Sequence, residues 1–160
     1  MFRLIPAPLQ RALMPMAHAL RHRWRVWRKT PLHGVAVIIS DLDGAVLLLR
    51  HSYGPDSWAL PGGGLKRGED PLDAARREVR EELGMDLGRT VLVGTMEETL
   101  SGSPHTCYVV EAHSDAHPQV DRREVIEARF FPRHSLPDPI YARSRERLAF
   151  WSRAEGSGAA

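Results

Sequence analysis

Three glutamates spaced about one helical turn apart, with a run of glycines ahead of them, are the residues of this chain whose types and spacing could do chemistry. Glu78, Glu81 and Glu82 stand at i, i+3 and i+4, so on a helix their carboxylates converge on one face. Pro61, Gly62, Gly63, Gly64 and Gly68 come before them, and a backbone without side chains can approach a phosphate closely. The arrangement works against the helix. Glu78 and Glu82 repel at i, i+4, all three acids lie near the negative end of the macrodipole, and each effect costs a few tenths to about 1 kcal/mol. Arg77 can pair with Glu81, but one arginine does not neutralise three carboxylates. A divalent cation would, and hard oxygen ligands suit magnesium or manganese, leaving the remaining positions to water and phosphate oxygens. A solvated acidic face is the competing reading of three glutamates taken alone.

The wider pattern separates these readings. Gly63, five residues, Glu69, seven residues, then Arg77, Glu78, Val79, Arg80, Glu81, Glu82, Leu83, Gly84 and Met85 resemble the Nudix box, G-x5-E-x7-R-E-U-x-E-E-x-G-U with U apolar. Every specified position is filled, and seven fixed residue types coincide by chance about once in a hundred million starts. The resemblance implies an α/β fold, a Nudix-type α/β/α sandwich with a mixed β-sheet and a loop-helix-loop catalytic motif. It also implies a divalent-metal-dependent hydrolase that cleaves the diphosphate (pyrophosphate) linkage of a nucleoside diphosphate derivative, such as ADP-ribose or a nucleoside triphosphate.

Carried over by position, Glu78, Glu81 and Glu82 become ligands of Mg2+ or Mn2+, together with the Gly63 carbonyl. Arg77 orients the glutamates, and Glu69 braces the loop against the helix. Relatives in the family usually add a downstream acid; Glu97, Glu98, Glu124 and Glu127 are the candidates, and Glu124 is preferred because it stands at a loop edge before a strand. Gly62, Gly64 and Lys66 line the phosphate-facing loop, although many relatives carry an acid where Lys66 stands. Arg50, His51, Tyr53 and Trp58 are candidate substrate contacts, with core packing equally open for Trp58. The alternative to an enzyme is a catalytically silent nucleotide-binding or membrane-surface interaction protein of the same fold.

These residues need a helix and a sheet to hold them. Pro71 suits a first helical turn and Gly84 the position just past the end, which predicts a helix over 71–83 with Leu72, Ala75, Val79 and Leu83 on its core stripe and Ala74 on the face of the acids. The β-branched run from Gly34 to Ile39 reads as a buried strand. Asp43 and Gly44 turn the chain into a second strand over 45–50; Asp41 and Asp43 resemble the start of a calcium loop, but Ile39 and Arg50 stand where that loop needs acids. Further strands are expected at 58–60, from 90 toward Leu100, at 105–111 and at 125–131, and a last helix over 141–153.

The chain has 160 residues, 42% hydrophobic and 26% charged, enough apolar material for one domain with its own core. Its one cysteine, Cys107, excludes an internal disulfide, reads as a packed thiol, and agrees with a cytoplasmic protein. Residues 1–30 hold Arg3, Arg11, Arg21, Arg23, Arg25, Arg28 and Lys29 with no acid, leaving fifteen bases against twenty acids for the rest. No stretch there is long and apolar enough to span a membrane, and the charge follows the apolar part, unlike a secretory signal. Leu9, Leu13, Met16, Leu20, Trp24 and Trp27 recur at helical steps, interrupted by Pro15. The expected organisation is therefore a basic amphipathic helical extension over 1–32, the Nudix-like domain over 33–153, and a disordered tail over 154–160. The extension is expected to pack on its own domain or on a second copy as a homodimer contact; peripheral binding to an anionic membrane ranks second and nucleic acid last. His18 and His22 are read as solvated.

Overall fold

The computed structural model describes residues 32–100, 102–120 and 124–158. Residues 1–31 of the expected N-terminal extension, including His18 and His22, lie outside them, and its last residue, Leu32, is described as part of a strand.

Strand β1 (Leu32–Ser40) is apolar on both faces because both faces are covered. Val35, Val37 and Ile39 join one buried cluster, and Ala36 and Ile38 join the other. The remaining strands are β2 (Val46–His51), β3 (Trp58–Ala59), β4 (Gly62–Gly64), β5 (Thr90–Leu100), β6 (Ser103–His113) and β7 (Val125–Phe131). β6 runs parallel to β1 from Leu32↔His105 to Ser40↔His113 and antiparallel to β5, so the sheet is mixed. On the opposite side of β1, β2 meets only the Ser40 end, and β4 takes Gly34, Val35 and Ala36. β3 and β7 both pair antiparallel with β2.

Helix α1 (Pro71–Leu83) covers one face. Val79 and Leu83 pack there on Val37, Leu47, Leu49 and Val110. Helix α2 (Ala142–Gly158) covers the other, where Leu148 and Trp151 join Ile38, Leu48, Cys107 and Val109. The result is the expected α/β/α sandwich. Among the described residues no helix is long and apolar enough to cross a membrane.

Three differences from the sequence reading have physical causes. β4 is made of three glycines, which carry no apolar periodicity to announce a strand. Ala74 is fully buried, whereas Leu72 is only partly so; the helix therefore sits deeper on the sheet than its four-residue stripe implied, and its small alanines allow that approach. α2 continues through 154–158, a stretch expected to be disordered. Its last turns are tied back where Glu155 receives Arg133 Nη1 at 2.7 Å, and the Arg133 guanidinium lies 3.9 Å from the centre of the Trp151 ring.

Candidate functional site

The site begins with how α1 is started and stopped. Asp70 Oδ1 accepts the Leu72 N–H at 2.8 Å, Pro71 follows it, and Gly84 ends the helix in the left-handed region at φ 63 with its N–H on the Arg80 carbonyl. A cap of this kind is worth about 1 kcal/mol. It also fixes the phase of the helix, and hence which glutamates face the sheet.

Glu78 and Glu82 face the glycine strand. Glu82 Oε2 accepts the Gly62 N–H at 3.0 Å, and its side chain is 9% exposed. Two glycines make close approaches here. Gly62 lies at φ 147, and a Cβ on it would fall 2.1 Å from the Val35 carbonyl oxygen. A Cβ on Gly63 would fall 2.5 Å from the Glu78 carboxyl. β4 is thus a strand that lets two carboxylates lie directly on its backbone.

Arg77 ties loop to helix. Its Nε and Nη2 donate to the two oxygens of Glu69 at 2.7 and 2.9 Å, Nη1 donates to Glu78 Oε1 at 2.7 Å, and Nη2 also donates to the Gly64 carbonyl at 3.0 Å. Glu81 stands 3.6 Å from Nη1, with its side chain 60% exposed. Glu69 in turn accepts the Lys66 N–H at 2.8 Å. The guanidinium hydrogen bonds and that N–H hold the Glu69 carboxyl down at about 2. Lys66 itself is exposed on the loop.

Burial dominates the other two acids. It pushes Glu78 up against the opposing pull of Arg77, and it pushes Glu82 up to about 8, helped by the charges of Glu78, Glu124 and Glu81 and opposed by the Gly62 N–H. A buried acid that resists ionisation beside other acids is the arrangement a cation relieves.

The two faces of β2 separate the remaining candidates. His51 shares the α1 side, with Nε2 4.0 Å from Glu82 Oε1 and its ring 5.1 Å from that of Tyr53. Arg50 stands apart from the acids, and Trp58 takes the core position that its sequence leaves open. Arg50 points to the opposite face and is held by Asp56 and Glu127, and Trp58 is buried in the α2-side core with its ring edge on Phe131. A one-residue step along a strand reverses the face, so nearness in sequence to the glycine loop did not carry either residue into the site.

Of the downstream acids, Glu124 bears on Glu82 electrostatically, and its carbonyl accepts the Ser52 N–H at 2.8 Å, which pins it beside His51. Glu97 accepts from Thr106, Glu127 is held by Arg50 and Arg129, and Glu98 lies in an ion-pair cluster under α2.

The donors present are carboxylates and backbone carbonyls, the hard oxygens that suit a small divalent cation. Glu82, a buried acid that accepts the Gly62 N–H, and the Gly63 cradle fit such an ion. The three motif carboxylates are spread between sheet, Arg77 and solvent, and among the described residues no three His, Cys, Asp or Glu side chains already stand as a metal cage.

The NUDIX domain family model matches residues 30–151. An RNA pyrophosphohydrolase of Halorhodospira halophila is 38% identical over 66 residues, 41% of this chain and 36% of that protein. The mouse diphosphoinositol polyphosphate phosphohydrolase 3-alpha is 43% identical over 72 residues, 44% of this chain and 42% of its own. The chain therefore matches well under half the length of these curated relatives. Among solved structures, the MutT NUDIX hydrolase from Burkholderia pseudomallei superposes with a TM-score of 0.68 at 28% identity, covering 75% of this chain and 97% of that one.

Proposed function

Because the chain belongs to the Nudix family, whose hydrolases generally need divalent metal ions, we propose that it is a Mg2+- or Mn2+-dependent hydrolase cleaving the diphosphate linkage of a nucleoside diphosphate derivative. The observation that carries this reading is the pair of carboxylates, Glu78 and Glu82, laid against a glycine strand with burial holding Glu82 up at about 8.

Glu78, Glu81 and Glu82 with the Gly63 carbonyl would hold the ion. It would offset the negative charge that develops on the phosphate oxygens as the bond breaks. Arg77 holds Glu78 and Glu81 in place while its bidentate grip on Glu69 fixes the loop. The exposed Gly64 and Lys66 present backbone and an ammonium to the phosphates. Glu124 would accept the proton of the attacking water, since it stands open at the rim while Glu82 is enclosed. Tyr53, beside His51, would contact the moiety attached to the diphosphate.

The test is a panel of nucleoside diphosphate derivatives and triphosphates with magnesium or manganese. At least one should yield a nucleoside monophosphate or phosphate, and Glu81→Gln or Glu82→Gln should slow that reaction at least about 100-fold. Full activity in those variants would remove the metal assignment.

A further inference from the structure

His51 lies beside the proposed metal ligands, and the reaction as described gives it no role of its own. It ends β2 at the point where the pairing with β7 slips. Arg50 is opposite Glu127, but His51 is opposite Val125, so Ile126 is the extra residue between them. A bulge of this kind bends a strand and re-aims its side chains. The Ser52 N–H then takes the Glu124 carbonyl at 2.8 Å, which holds the end of β2 in place. The His51 side chain is 23% exposed, and its ring lies 5.1 Å from that of Tyr53 at a tilt of 34°.

The two oxygens of Glu82 are used differently. Oε2 accepts the Gly62 N–H at 3.0 Å, whereas Oε1 lies 4.0 Å from His51 Nε2. That separation is beyond the reach of a hydrogen bond, and two metal–ligand bonds of about 2.1 Å each can bridge it. A histidine serving only as a counter-charge would gain by closing to about 2.8 Å; this one is carried on a strand that stops short of contact. A nitrogen donor from β2 and an oxygen donor from α1 thus face one point, beside the bare backbone of β4, where the Glu78 carboxyl also rests on Gly63.

Resting on the proposed metal-dependent hydrolysis, we infer that His51 Nε2 is a ligand of the ion held on Glu82 Oε1, a nitrogen donor in a site otherwise made of oxygen. Imidazole suits first-row transition ions, while magnesium keeps to oxygen ligands and water. The site therefore prefers Mn2+ or a later first-row ion to Mg2+.

The experiment uses the full chain stripped of metal and then loaded with Mn2+ or Mg2+. Pulsed electron spin resonance of bound Mn2+ should show coupling to a directly bound nitrogen, and the coupling should change when the histidines carry heavy nitrogen. His51→Gln and Glu82→Gln should each abolish it. His51→Gln should also reduce the preference for Mn2+ over Mg2+ about tenfold or more, with Mg2+ affinity and circular dichroism retained. Absence of bound Mn2+, or Mn2+ bound without nitrogen coupling, overturns the inference in the wild-type protein alone. Coupling that survives either variant overturns it too, since another histidine or another site then supplies the nitrogen. An unchanged metal preference in His51→Gln overturns it as well. A panel with no hydrolysis refutes the reaction and leaves the coupling to stand, whereas a working hydrolase without the coupling keeps the reaction and loses His51 as a ligand.

Discussion

Replacing Glu82 with glutamine should make the metal-free protein more stable while it destroys the site. The carboxyl ordinarily titrates at 4.5 and is raised by burial to about 8 in the fold. Between those values the folded chain binds a proton that the unfolded chain does not, so stability falls as pH rises through this window. Each unit spanned costs about 1.4 kcal/mol. At pH 7 the cost is about 3 kcal/mol, at pH 5 about 1, and above pH 8 it levels near about 5. Glutamine has no proton to take up, keeps the volume, and offers a carbonyl to the Gly62 N–H. Urea unfolding of both proteins in chelator from pH 5 to 9 measures the difference directly. Glu82→Gln should gain on the wild type steadily up to about pH 8, and magnesium should narrow the gap by stabilising only the wild type. A difference that stays flat across this range, or a variant less stable than the wild type at pH 8, would refute the idea that burial holds Glu82 unionised.

Other substitutions test neighbouring parts of the same structure. Gly63→Ala forces a methyl onto the Glu78 carboxyl at 2.5 Å, and should lower turnover on the active panel substrate about 10-fold or more while circular dichroism remains folded. Leu83→Ala removes a fully buried side chain and should cost 2 to 5 kcal/mol, roughly, in urea unfolding. Asp70→Ala removes the helix cap and should cost about 1 kcal/mol by the same measurement. Glu69→Gln weakens the bidentate grip on Arg77 and should raise the apparent magnesium requirement in steady-state assays more than it lowers the midpoint of unfolding.

The motif and its helix were legible because both are local. Pro71, Gly84 and the spacing of apolar residues bound α1 at the residues where the structure starts and stops it. The sheet strands were legible where β-branched residues run together, as in β1. What sequence could not convey was facing. Arg50 and His51 are neighbours, yet the pleat sends one to the Trp58 side and the other to Glu82. The Glu98, His105, Arg143 and Arg147 cluster assembles across three elements with no repeat or spacing to announce it. Glycine strand β4 was hidden because glycine has no side-chain pattern, although its bare backbone is what receives the acids.

The parallel pairing of β1 with β6 also bears on how the protein is made. Leu32 must wait for His105 and Ser40 for His113, so a chain emerging from the ribosome carries every residue of the Nudix box before the central strand has its parallel partner. Such pairings between distant segments form slowly and leave apolar surface open meanwhile. Val35 to Ile39 is the surface at risk, and a nascent chain stalled before β6 should be a substrate for chaperones rather than a nascent enzyme. The motif is contiguous in the gene and late in assembly.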